Sequence, residues 1–395
     1  MNRMRVLMLV PDMPDPIEKI QGGIQSAVLN LLRGFASQPV DVLLVSISSS
    51  KIPSYKIKVS ANVTVQYIPE GPASLSFINY LFSCPGKIRK IVKDFKPDVI
   101  HFEEGMNFLL LRMFIGQYNK HVLTIHGITF AEARLKKHFL QRLKWYQNGI
   151  VEWLLLPKHI IHISKYSRKI FLAANRVASP VIFNAVSDRF FDIDRKLGTT
   201  NQLLFVGAVN NRKNILALIE AIKALRAEGK NYYLKIVGDF DPTEKYKEVV
   251  LSYIDQNGLT ENIQFLGWKS QSELEAIYQD IDIVVLPSLQ ETLPVVIAEA
   301  MAAGRVMVSS TVGGIQEMVT NNETGFTYSP AEPVVLQRIL ARLYDNSSEI
   351  ERVGANARIM AKDKFHADVI ASMTNEYYKQ ISVKPGIPVF PIFNI

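Results

Sequence analysis

Short apolar runs rich in Val, Ile and Leu alternate with amphipathic stretches along most of the chain. Val6–Val10 leads into a glycine pair and a helical pattern over Ile24–Phe35. Further strand-like runs are Val42–Ile47, Val63–Ile68, Val99–Phe102, Val122–Ile125 and Ile160–Ile163. The rhythm restarts with Leu203–Val206, Tyr233–Val237, Ile263–Phe265, Ile283–Leu286 and Val306–Ser309. Continuous apolar strands separated by helical periods predict parallel sheets covered on both faces. Two such series, each opening on a strand and a glycine turn, predict two doubly wound α/β domains. The pattern breaks over 183–200, so the expected domains are 1–190 and 191–365. A helix over His366–Ile381 and a tail with prolines 385, 388 and 391 complete the chain as a third segment, 366–395, which either packs back on the first domain or hangs free. Ligands of such sheets bind beyond the carboxyl ends of the strands, so a cleft between the two domains is the expected site.

A length of 395 residues suits two domains of ordinary size. A single cysteine, Cys84, excludes a disulfide framework and a thiolate metal site, and fits a reducing compartment. The five apolar residues before Pro11 are too few for an export signal, and no apolar stretch is long enough to span a membrane. These features predict a cytoplasmic protein. Charge sharpens the picture: residues 1–190 hold 25 Lys and Arg against 12 Asp and Glu, whereas 191–395 hold 20 against 25. The basic excess belongs to the first half, which points to an anionic partner there, unless it is only a solvated surface.

Several chemistries are absent from the sequence. No two of the 21 glycines are separated by a single residue, so there is no G-x-G-x-x-G and no dinucleotide fingerprint. No phosphate-binding G-x-x-x-x-G-K-[ST], no H-E-x-x-H and no G-x-S-x-G occur. Asp192-Ile193-Asp194 and Asp280-Ile281-Asp282 have the spacing of cation ligands, but one sits in the expected linker and the other precedes a buried strand, so no metal site is expected.

Positive signals begin with Gly22-Gly23, whose amides can approach an anion at a helix N-terminus, although such a pair is also an ordinary turn. More informative is Glu291-Thr292-Leu293-Pro294 followed by a helical run carrying Glu299. Pro294 suits a helix start, the amides near Thr292 and Leu293 face a space above the strand end, and two carboxylates flank it. That arrangement meets the needs of a sugar nucleotide. Read without context, Glu291 is equally a charge favoured at the positive helix end and Glu299 a solvated face residue.

Context comes from the whole chain. Glu291 and Glu299 resemble the E-x7-E motif of the retaining glycosyltransferases of GT-B architecture, the large family numbered four. The resemblance continues through Gly22-Gly23, Pro97-Asp98-Val99-Ile100-His101, Thr124-Ile125-His126-Gly127, Phe205-Val206-Gly207 with Lys213, Gly313-Gly314-Ile315-Gln316-Glu317 and Thr324-Gly325-Phe326. It implies a GT-B fold, two Rossmann-like domains facing across a cleft, and no cofactor beyond a nucleotide-sugar donor, UDP- or GDP-linked. It implies Glu299 on the ribose, Glu291 on the transferred sugar, Lys213 on the diphosphate, and His126 touching the sugar from the first domain. Gly22, Gly23, Gly207, Thr292 and Leu293 would complete the donor cradle, with the base near Gly267-Trp268-Lys269. His126 could instead be a satisfied core histidine. Where the family usually has Arg directly after Val-Gly, this chain has Ala208. Losing that partner costs about 1.5–3 kcal/mol, and Arg212 is expected to supply the charge.

The expected activity is hexosyl transfer to a glycan or lipid-linked acceptor in cell-surface polysaccharide or glycolipid synthesis. A silent nucleotide-sugar-binding scaffold and a GT-B epimerase or phosphorylase remain open as alternatives. The basic half has no aromatic-and-basic nucleic-acid motif, so no nucleic-acid partner is expected. The run from Lys136 to Tyr146 mixes cations with Phe139, Leu140, Leu143 and Trp145, and Lys87, Arg89, Lys90, Lys93 and Lys96 form a second basic stretch. Both fit an anionic membrane surface and a peripheral protein at the inner face of the membrane.

Overall fold

A computed structural model describes residues 3–10, 13–20, 22–48, 54–69, 84–103, 111–112, 115–116, 120–133, 139–171, 179–194 and 201–382. The tail from 384 onward and residues 136–138 of the first basic run lie outside them.

The apolar runs form strands β1 (Met4–Val10), β2 (Val40–Ser48), β3 (Tyr55–Lys58), β4 (Val63–Pro69), β5 (Val99–Phe102), β6 (His121–Ile125) and β7 (His159–His162). The second series forms β8 (Gln202–Val206), β9 (Tyr233–Val237), β10 (Ile263–Gly267), β11 (Ile283–Leu286), β12 (Val306–Ser310) and β13 (Phe326–Tyr328). They assemble into a seven-stranded sheet ordered β3-β4-β2-β1-β5-β6-β7 and a six-stranded sheet ordered β10-β9-β8-β11-β12-β13. The GT-B expectation of two doubly wound domains is met.

Two strands escaped the sequence pattern. β3 alternates half-buried and exposed residues and pairs antiparallel with β4, so it lacks the continuous apolar run of a covered strand and corrects the expectation of purely parallel pairing. β13 has only three residues, Phe326–Tyr328, and takes its place at the edge by pairing with β12.

Both sheets reverse their winding at a central strand, β1 in the first and β8 in the second. β8 meets β11 through only two residue pairs, Leu203 with Ile283 and Leu204 with Val284, so the two strand ends splay apart. The loops that follow β8 and β11 therefore border the crevice at the switch point of the second domain, and those after β1 and β5 do so in the first.

The helix Ser347–Phe365 ends at His366, whose extended backbone bridges Val186, and the next helix, Ala367–Ser382, lies on the first domain. There Ala367, Ile370, Ala371, Tyr377 and Tyr378 join Leu32, Phe35, Val6 and Met8 in one buried cluster. The approach is close because Gly34 has no side chain: a Cβ there would lie 2.2 Å from the carbonyl oxygen of Ala367.

Candidate functional site

The second-domain half of the site is built from the two switch-point loops. After β8 the chain turns at Gly207, passes Arg212 and Lys213, and enters the helix Ile215–Ala227 through a left-handed Asn214. After β11 it runs from Pro287 to Pro294 and enters the helix Val295–Ala302. Pro294 has an extended backbone and stands just before the first helical residue, one position earlier than its expected place in the first turn.

The loops interlock through charge. Lys213 Nζ donates to Glu291 Oε1 at 2.6 Å, and Arg212 donates to Glu291 Oε2 at 3.3 Å and to the Gln290 carbonyl at 3.2 Å. Ser288 Oγ donates to the same Oε1 at 2.8 Å. Burial pushes the Glu291 carboxyl up, but Lys213 and Arg212 more than offset it and hold it below the usual carboxylate range. Glu291 is thus an ionised, buried carboxylate carrying two cations, and not only a charge at a helix end. Gly207 stands at φ +146, a backbone conformation that favours glycine, beside Lys213. Arg212 shares the Glu291 carboxylate with Lys213.

Glu299 lies inside the helix Val295–Ala302 and is buried, which removes the solvated-face reading. Among the described residues its side-chain hydrogen-bonding neighbour comes from the other domain, Ser26 Oγ at 3.4 Å. Burial pushes its carboxyl up to about 7, against the lowering effect of that hydroxyl. Ser26 belongs to the helix Gly23–Phe35, with Gly22 as its extended N-cap residue. A Cβ on Gly23 would lie 3.8 Å from Val295 Cγ2, so the N-termini of the two helices, one from each domain, meet across the cleft. Two positive helix ends directed at one space form an anion-binding arrangement. Thr292 and Leu293 are buried, their carbonyls receiving Gly314 N at 3.1 Å and Asn184 Nδ2 at 3.4 Å.

On the first-domain side His126 follows β6, and its Nε2 lies 2.8 Å from Glu103 Oε2. Glu103 immediately follows β5, at the switch point, and is buried. His101 Nε2 contacts Thr124 Oγ1 at 2.6 Å, and its Nδ1 reaches the hydroxyl of Tyr378 on the helix Ala367–Ser382. Burial pushes His101 down toward the neutral imidazole. Burial raises the Glu103 carboxyl, but His101, His126 and Thr124 outweigh it and keep Glu103 low. These residues line a cavity of about 20 Å³, room for one water. His126 is therefore oriented by a carboxylate that the sequence pattern does not single out. The available signal was position: Glu103 directly follows the strand next to β1.

Trp268 donates from its indole to the Ile20 carbonyl at 2.9 Å, and Glu317 receives the amides of Lys165 and Tyr166 at 2.6 and 2.7 Å, both across the domain boundary. Among the described residues, no group of three or more His, Cys, Asp or Glu side chains gathers as a metal site. No helix among them is long and apolar enough to cross a membrane.

Comparison with known proteins identifies the family and the fold. A family profile described as Glycosyltransferase Family 4 matches residues 21–189, and one described as Glycosyl transferases group 1 matches residues 186–360. An uncharacterised glycosyltransferase of Methanocaldococcus jannaschii is 25% identical over 95% of this chain and 98% of its own length. A lipopolysaccharide 1,2-N-acetylglucosaminetransferase of Salmonella typhimurium is 31% identical over 45% of this chain and 48% of its own. Among solved structures, a sucrose-phosphate synthase from Thermosynechococcus elongatus superposes with a TM-score of 0.80 at 19% identity, over 95% of this chain and 99% of that one. Anabaena HepE, solved with UDP and glucose, does so at 0.73 and 17%, again over 95% and 99%. At such identities the structural likeness is one of fold.

Proposed function

The chain belongs to the family-4 type of group 1 glycosyltransferases, and from that premise we propose that it is a retaining transferase moving a hexosyl unit from a UDP- or GDP-linked donor to a glycan or lipid-linked acceptor of cell-surface polysaccharide or glycolipid synthesis. The observation that carries the reading is the pairing of Lys213 and Arg212 with buried Glu291 at the switch point, in the loop that leads to one of two adjoining helix N-termini. HepE, solved with UDP and with UDP-glucose, supports a nucleotide-sugar donor, and the Salmonella relative supports a cell-surface product.

In this reading the diphosphate lies against Lys213, Arg212 and the amides opening the helix Val295–Ala302, whose fixed positive character stabilises charge as it develops on the leaving group. Glu299 accepts from the ribose hydroxyls and Glu291 from hydroxyls of the sugar. His126, held through Nε2 by Glu103, bears on the sugar from the first domain. The bond from the anomeric carbon to the diphosphate oxygen breaks, the acceptor oxygen bonds on the same face, and its proton passes to the leaving diphosphate. Contacts across the boundary, Ser26 with Glu299 and Trp268 with Ile20, keep the cleft closed against water.

Thermal unfolding of the wild type and Glu299→Ala with UDP, GDP, ADP and their sugar conjugates tests the donor site. A ligand at about 100 times its dissociation constant stabilises by roughly 2.7 kcal/mol. The expected result is stabilisation by one nucleotide family, lost in Glu299→Ala. NMR of the product is expected to give the anomeric configuration of the donor. An inverted product would overturn retention, and an epimerised sugar nucleotide or a sugar phosphate would overturn the transfer reading.

A further inference from the structure

The helix Phe139–Leu155 is conspicuous for what it leaves in solvent. Of its 17 residues, only Gly149 is buried. Leu140 is 76% exposed, Phe139 75% and Leu154 67%, with Ile150, Leu143 and Val151 also exposed. At about 100° per residue these six side chains fall into one stripe about 120° wide, interrupted only by Gln147. The opposite face holds the helix to the domain: a Cβ on Gly149 would meet the Phe130 ring at 2.8 Å, and Glu152 accepts from Thr129 Oγ1 at 2.6 Å. A helix serving only the core would bury its apolar stripe and expose the other; this one does the reverse.

Charge says what the stripe faces. Within the helix two cations, Arg142 and Lys144, stand against one acid, Glu152, and that acid is turned inward. Lys144 borders the stripe on one side, and Arg142 lies beyond Trp153 on the other; both cations are exposed. An apolar face flanked by cations and free of carboxylates matches an anionic lipid surface. A second copy of the chain fits less well: one face of a 17-residue helix, about 25 Å by 10 Å, offers roughly 250 Å², against about 800 Å² per partner in a stable dimer.

We propose that the helix Phe139–Leu155 is a membrane-docking element that lays its stripe of Phe139, Leu140, Leu143, Ile150, Val151 and Leu154 into the headgroup region of an anionic bilayer. Docking is set by the exposed face of one helix and does not depend on which sugar, if any, the cleft transfers.

Flotation of the full chain with phosphatidylglycerol-containing vesicles tests the proposal, beside pure phosphatidylcholine vesicles and a salt series. The expected result is co-flotation with anionic vesicles, weakened by salt. In Leu140→Gln with Leu154→Gln, binding falls at least about tenfold while the thermal midpoint is unchanged. In Arg142→Gln with Lys144→Gln, binding to anionic vesicles falls about fivefold per residue removed, with a shallower salt dependence. Failure of the wild type to float, or equal flotation of the Leu variant, overturns it. So does a lowered midpoint in the Leu variant, because the stripe would then be packed within the molecule. A dimer that dissociates in the Leu variant, with vesicle binding intact, would assign the stripe to a second copy instead. Donor binding, read separately by nucleotide-induced thermal shifts, distinguishes loss of docking from failure of the transferase reading.

Discussion

Two glutamates eight residues apart are driven in opposite directions by their surroundings. Glu299 has a single hydroxyl, Ser26, to offset burial, so its carboxyl titrates near 7; Glu291 has Lys213 and Arg212 and stays ionised. If the Glu299 carboxylate accepts from a ribose diol, donor affinity falls as pH drops through about 7. Ser26→Ala removes a group that favours the ionised form, so this loss moves to higher pH, and Glu299→Gln abolishes the dependence; calorimetric titration of UDP or GDP across pH reads both. The free protein responds with its own sign. A carboxyl raised from 4.5 to about 7 by folding contributes stability that is fully present below 4.5 and lost as pH rises toward about 7, a trend that Glu299→Gln flattens in denaturation curves. Lys213→Ala is expected to reduce turnover about 10²–10³-fold, as loss of a donor to a developing oxyanion does, in a single-turnover assay. Arg212→Ala is expected to weaken donor binding about tenfold or more, the worth of one charge-assisted bond; unchanged affinity would remove its role as substitute for the arginine missing at position 208.

Elements place these side chains through their ends. The β8 and β11 loops face each other because their strands adjoin at the switch point, and the motif Gly313-Gly314 holds the second loop from behind. Gly313 sits at φ +57, and a Cβ there would lie 1.6 Å from the Glu291 carbonyl oxygen. Gly313→Ala therefore combines a left-handed backbone with a clash against the main chain of a site residue. A loss of about 3 kcal/mol or more in urea denaturation is expected, together with loss of nucleotide-induced stabilisation. Glu317, four residues on, accepts from the amides that open the helix Lys165–Phe171 in the other domain, so one short motif serves both the donor loop and the domain boundary.

At the scale of the molecule, the last helix is a strap. It leaves the second domain at His366 and covers the helix Gly23–Phe35, and its Tyr378 reaches the buried His101. The polar set His101, Thr124, Glu103 and His126 is thereby closed by a residue from the far end of the chain. Tyr378→Phe keeps the packing but leaves a ring nitrogen of His101 without its partner, and is expected to cost about 1–3 kcal/mol in urea denaturation. No loss would mean that water, or Glu103 Oε1 at 3.5 Å from the same nitrogen, replaces the hydroxyl.

Much was determined by the sequence alone. Continuous apolar runs report strands buried on both faces, so the doubly wound class and most strands were legible from local spacing, whereas the roles of Glu291, Glu299, Lys213 and the glycines came only from the resemblance to a family. Those signals fail where burial is one-sided or short, as at β3 and β13. Only the tertiary structure decided which groups meet. Ser26 and Glu299 are 273 residues apart and His101 and Tyr378 277 apart, and no local period encodes such a pairing. Nor could spacing reveal that Glu103 holds His126, and it offered an outward-facing run at Lys136–Tyr146 only beside the reading of a solvated surface, until exposure along the helix Phe139–Leu155 showed which side faces out. A hydrophobic stripe is the same in sequence whether it faces a core or a bilayer; the side on which the rest of the chain packs makes the difference.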